Sequence, residues 1–181
     1  MVDGEVEPQE SEKTMAVATT RGVLFVHSSP PSLCPHLEWA IGRCLGRPVH
    51  LAWEDQPVLP GTLRAEFPWR GPINTGSVMA SALRGWEHLR FEVSEQPSPG
   101  VDGGRWMHTP DLGIFYGAMD TAGNTMISED RVKTALAEAG GDPRLTTKAL
   151  RLAWGGAWDD ELEPFRYCSE ETGVVWFHRV G

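Results

Sequence analysis

The sequence predicts an α+β fold, and the stretch from Gly61 to Val93 carries most of that prediction. There Leu63, Ala65, Phe67 and Trp69 alternate with Arg64, Glu66, Pro68 and Arg70, the period of a strand with one buried face. After Gly71 and Pro72 the apolar residues Val78, Met79, Ala82, Leu83 and Trp86 fall on a helical stripe. Alternation returns with Leu89, Phe91 and Val93. A similar strand-helix-strand unit precedes this one, so the first half reads as a ferredoxin-like βαββαβ sandwich. That topology puts strands one and three at the centre of an antiparallel sheet, with both helices on one face. The other face would present His50, Ala52, Arg64, Glu66, His88, Arg90 and Glu92, a mostly polar set that tolerates water.

Taken in order, the apolar run Val23 to Val26 suits a central strand. Serines and prolines from Ser28 to Pro31 break it. Ser32 is a plausible helix cap, and Leu33, Leu37, Ala40, Ile41, Cys44 and Leu45 form the buried stripe of the helix that Gly46 ends. Val49, Leu51 and Trp53 alternate with polar neighbours and predict a second strand. Gln96 to Gly104 is rich in Pro and Gly and marks the main boundary. Beyond it, Arg105 to His108 and Leu112 to Met119 read as strands, followed by a turn and Thr125 to Ile127. Ser128 caps a helix burying Val132, Ala135, Leu136 and Ala139. Asp142 and Pro143 open another that carries Leu145, Ala149, Leu152 and Ala153 inward. The segment from Ala157 to Cys168 reads as a short helix and turn, and Val174 to Val180 as a terminal strand. The domain reading is therefore a disordered acidic tail over 1–19, the ferredoxin-like domain over 20–96, a linker over 97–104, and a C-terminal α/β segment over 105–181 packed on it. That segment is expected to dock at an edge strand or on the exposed side of the helix bearing Trp39, leaving the polar face of the sheet uncovered.

Composition narrows the function classes. The net charge is -9 over 181 residues, which argues against a nucleic-acid binder, because phosphate affinity needs clustered Lys and Arg. Asp3, Glu5, Glu7, Glu10 and Glu12 stand against Lys13 alone at the N-terminus, a composition that cannot build a core; Met15 is an alternative translation start. No apolar run approaches the ~20 residues of a membrane span, and no signal peptide precedes the first strand. A cytoplasmic protein with no membrane partner is expected. Three cysteines without paired spacing read as free thiols.

Two kinds of site are open on the residues alone. Cys34 sits at a helix start near His36 and His27, an arrangement that can lower a thiol pKa and make a nucleophile; the same position also suits an inert packed thiol. Trp39 beside Arg43, and Trp106 after the Gly-rich stretch, have the composition of interface anchors, or of aromatics covered within the monomer. Asp159 and Asp160 head an acidic cluster better suited to a solvated or partner-binding face than to a metal, since no loop turns its carboxylates inward. The six histidines and the cysteines show no zinc spacing, so no metal or cofactor is expected. No GxSxG, Walker or dinucleotide motif occurs. The favoured function is a non-catalytic binding or regulatory module contacting a protein partner or small ligand, with a small enzyme using Cys34 and a histidine as the alternative. The oligomeric state is left open.

The motifs RGVLFVHSSPPSLCPHLEWAIGRCLG, ALRGWEHLRFEVSEQPSPG, TPDLGIF and AWDDELEPFRY together resemble the actinobacterial domain-of-unknown-function family 3145. The resemblance spans about Thr20 to Val180. It implies a cytoplasmic protein of a high-GC bacterium, and it brings no activity, cofactor or catalytic residue to transfer.

Overall fold

A computed structural model of the chain describes residues 18–167. The expectations for the acidic tail up to residue 17 and for the terminal strand Val174 to Val180 lie outside the described residues. The elements are β1 (Thr19–Ser29), α1 (Cys34–Leu45), β2 (Glu54–Asp55), β3 (Leu63–Pro72), α2 (Thr75–Leu83), β4 (Arg90–Glu95), β5 (Gly103–Thr109), β6 (Gly113–Met119), β7 (Thr125–Met126), α3 (Glu129–Ala139), α4 (Pro143–Ala153) and α5 (Gly156–Tyr167). One seven-stranded sheet runs in the order β2-β3-β1-β4-β5-β6-β7. Every pairing in it is antiparallel.

The main core lies between the sheet and α1 and α2. Leu24 and Val26 of β1, Ala65 and Trp69 of β3, and Phe91 and Val93 of β4 pack there against Leu37, Ile41, Met79 and Leu83. Alternation in the sequence placed Ala65, Trp69, Phe91 and Val93 on one face, and they share it with Leu24 and Val26 from the continuous run of β1. Gly22 makes the closest approach: a Cβ there would lie 1.8 Å from the Ser94 carbonyl oxygen and 2.4 Å from the Trp69 indole, so only glycine lets that ring cross the strand. Pro35 in the first turn of α1 loses no helical bond, and Gly46 ends the helix in the left-handed region at φ 67°.

Four expectations for these elements change. Ser32 does not cap α1, whose N-cap position is Leu33 and has no side-chain hydrogen bond. The second strand is not Val49 to Glu54 but the two residues of β2. Val49 and Leu51 are buried, yet the Leu51 amide donates to Glu38 Oε1 at 2.9 Å and the Trp53 indole donates to the same oxygen at 3.1 Å. A carboxylate on α1 thus supplies the acceptor that a neighbouring strand would have given. In α2 the inward residues are Met79, Ala80 and Leu83, with Val78 exposed. The largest change concerns the polar face, where Glu92 is only 4 % exposed.

His50, Ala52, Glu66 and His88 stay exposed, but around Glu92 the face is covered, because the second half of the chain both extends and crosses the sheet. Residues 97–102 turn the chain from β4 into β5, which pairs along the β4 edge. After β6 and β7 the three helices follow, and α5 contacts β5 and β1 on the face opposite α1 and α2. Met107, Phe115 and Leu162 form a small core there with Trp158 beside it. The Trp158 indole donates to the Gly113 carbonyl at 2.9 Å.

Ser128 and Asp142 cap α3 and α4 as the sequence indicates, each accepting from backbone N–H groups of the first turn. The buried residues of this hairpin are small: Ala135 and Ala139 on α3 and Ala153 on α4. Leu136, Leu145 and Leu152, expected inward, are about half exposed, at 47, 52 and 55 %. With alanines at the contact the two helices can pack closely, which leaves no volume between them for the leucines.

Candidate functional site

The three residues of the thiol reading lie in separate surroundings. Cys34 is buried at the start of α1, where its thiol donates to the Pro30 carbonyl at 3.7 Å. Burial pushes this thiol up, and a hydrogen bond with Ser29 offsets only part of that rise. His36 is exposed and tilted against Trp86, with ring centroids 6.3 Å apart. His27 is turned to the opposite face of the sheet, where its Nε2 lies 3.1 Å from Glu92 Oε2. Cys44, half buried on the same helix, is also pushed up, by burial.

His27 belongs instead to a buried set of ion pairs that sequence reasoning missed. Glu92 Oε1 accepts from Arg105 Nη2 at 2.7 Å and from Arg166 Nη2, while Arg166 Nε donates to Glu92 Oε2 at 3.1 Å. Asp159 Oδ1 accepts from both arginines at 2.9 Å. Burial alone would raise the Glu92 carboxyl; Arg105, the His27 hydrogen bond and Arg166 outweigh it and hold it well below the usual carboxylate range. Arg166 is correspondingly raised: burial opposes its charge, but Glu92 and then Asp159 more than offset it. The β1 register shifts between Val26 and Ser28 on the β4 side. The freed His27 carbonyl is met by buried Gln56, whose Nε2 donates to it at 2.7 Å. One signal for this network was present in the sequence. Asp159, Leu162 and Arg166 share one face of a helix at i, i+3 and i+7. Glu92 gave none, because a polar residue at an outward strand position reads as solvated.

The interface candidates are likewise dispersed. Trp39 is 63 % exposed, with the Arg43 guanidinium 5.1 Å from its ring centre. Trp106 is half buried against Tyr116, their rings 5.1 Å apart, in a depression of about 310 Å³ that Glu95 and Asp102 also line. Glu95 caps α2 from a distance, its two oxygens accepting from the Asn74 and Gly76 amides at 2.7 Å each. Asp159 lies in the ion-pair set, while Asp160 makes an exposed two-pronged pair with Arg151 at 2.6 and 2.7 Å.

A further concave surface lies between β6, α3 and α4. This groove of about 370 Å³ is lined by Ile114, Tyr116, Ala149, Leu152 and Trp158 among others. Arg131 fixes its floor: the guanidinium sits 5.5 Å from the Phe115 ring centre and donates to the Tyr116 and Ala153 carbonyls. Leu136, Leu145, Leu152 and Trp154 are exposed on the same hairpin and its end, a concentration of apolar side chains of the kind that marks contact surfaces. Among the described residues no group of three metal-binding side chains occurs, and no helix is long and apolar enough to cross a membrane.

No curated protein and no solved structure matches the chain. A family model does, over residues 23–179, and by that match the chain belongs to the DUF3145 family of proteins of unknown function.

Proposed function

We propose that this chain is a non-catalytic binding module of the cytoplasm that works by protein contact through its C-terminal layer. Its first half serves as a ferredoxin-like support, a reading favoured by the strand order β2-β3-β1-β4 and by α1 and α2 lying on one face. The observation that carries the proposal is the half exposure of Leu136, Leu145 and Leu152 beside a formed groove. Three exposed leucines gathered on capped, regular helices beside a groove are spare binding capacity. The non-catalytic part draws on the state of the reactive groups. A nucleophilic thiol needs a lowered pKa, whereas Cys34 is raised, and the Glu92 and Asp159 carboxylates are taken up by Arg105 and Arg166.

The test uses the full chain as bait in extract of its host, beside the double variant Leu145→Ser/Leu152→Ser. A stoichiometric protein captured by the native chain and lost by the variant is expected. Capture that survives the double substitution moves the function elsewhere on the surface. In parallel, iodoacetamide should label Cys34 slowly at pH 7; rapid labelling would restore the enzymatic reading.

A further inference from the structure

Resting on that reading, we propose that the α3–α4 face docks an acidic amphipathic helix of a partner protein. On α4, each of Arg144, Lys148 and Arg151 immediately precedes Leu145, Ala149 and Leu152 respectively. Both sets therefore repeat at i, i+4 and i+7 and run as adjacent stripes, one cationic and one apolar. The helix PRLTTKALRLA has no acidic residue, in a chain whose net charge is -9. Arg151 is paired with Asp160. Arg144 and Lys148 make no ion pair among the described residues and stand exposed.

An occupant must therefore bring apolar anchors for the groove beside Leu152 and carboxylates for Arg144 and Lys148. A helix with apolar residues at i, i+3 or i+4 and i+7, flanked on one side by Glu or Asp, brings both. Glu138 lines the groove from α3 and would repel carboxylates there. It thereby fixes which flank of the incoming helix is acidic. An anionic lipid surface answers the cationic stripe less well, because a plane lying on the hairpin would also meet exposed Glu129, Asp130 and Glu138.

The full chain is used to select binders from a phage library of random 20-residue helical peptides, and enriched peptides are measured by fluorescence anisotropy. The expected peptides are acidic and amphipathic and bind more weakly as salt rises. Leu145→Ser/Leu152→Ser and, separately, Arg144→Glu/Lys148→Glu should each weaken them at least about tenfold. All four side chains are exposed, so circular-dichroism melts of both variants should match the native chain. Peptides that depend on the leucines but not on Arg144 and Lys148 overturn the acidic partner and leave the binding reading standing. A selection yielding no peptide sensitive to the leucines overturns the site itself. Co-sedimentation with phosphatidylglycerol vesicles, lost on Arg144→Glu/Lys148→Glu, would replace the partner helix by a lipid surface.

Discussion

Beneath α1 and α2, fifteen buried apolar residues running from Leu24 to Val93 seal one face of the sheet. Across the sheet, among the described residues, Met107, Phe115 and Leu162 form the buried apolar group, and charged Glu92, Arg105 and Arg166 take much of the remaining interior. The two faces are thus held by different physics. Apolar burial is non-directional and adds up over area, so the first face needs only the right pattern and volume. A buried ion-pair set stabilises only when all its members are present, which makes the second face dependent on residues far apart in the chain. This contrast leads us to expect a hierarchy, in which residues 20–96 form the first face alone and the second needs the first as its floor.

Cutting the chain gives the largest effect. A fragment of residues 20–98 keeps nearly all of the first core, and its Glu92 returns to water rather than staying buried without a partner; it should unfold cooperatively in urea. A fragment of 100–181 loses β4 and Glu92 and retains the thin second core, so it should aggregate or show no cooperative transition. Cooperative unfolding of 100–181 would make the halves independent domains, and a molten 20–98 would reverse the hierarchy.

Within the intact chain, Glu92→Ala should be the most damaging change on the second face. It removes the carboxylate that Arg105 and Arg166 share and leaves both guanidiniums buried without it, a loss of about 3–5 kcal/mol for a broken buried pair. Because the folded carboxyl is held well below its usual range, its stabilising contribution is complete above the unfolded value of about 4.3. It fades as the pH drops further, through the folded value. Denaturant titrations at pH 7 and near pH 3 should therefore show the gap between native and Glu92→Ala narrowing in acid. A gap independent of pH would mean that the carboxylate charge is not what holds α5 on the sheet.

The same contrast explains what could be read from the sequence. Leu63 to Trp69 and Leu89 to Val93 announced strands because one face of each meets a continuous apolar core, and alternation is the direct record of that. Val49 to Trp53 misled for a physical reason: its pattern reports burial correctly, but the Glu38 carboxylate, and not a strand, accepts its backbone and indole hydrogens. On the second face the pattern carried little information. Glu92 occupies a strand position that reads as solvated, and its burial depends on Arg166, which follows it by scores of residues. The α3 and α4 stripes were legible as helices, with correct caps at Ser128 and Asp142. An apolar stripe does not reveal whether it is buried at home or kept for a partner, and here the alanines alone are buried.

That last ambiguity sets the finest test of the comparison, between two leucines on neighbouring helices. Leu162 on α5 is fully buried beside Met107 and Phe115, whereas Leu152 on α4 is 55 % exposed. Leu162→Ala removes packed atoms from a small core with few neighbours able to collapse inward, and should cost about 2–5 kcal/mol. Leu152→Ala removes a side chain that water already reaches, in a helix where alanine is at least as favourable as leucine. Its effect should stay within about 0.5 kcal/mol. Urea midpoints of the two variants, read at equal slope, give the comparison directly. Should Leu152→Ala cost as much as Leu162→Ala, the α4 stripe would already be covered in the free protein, and the docking face would have no apolar surface left to offer a partner.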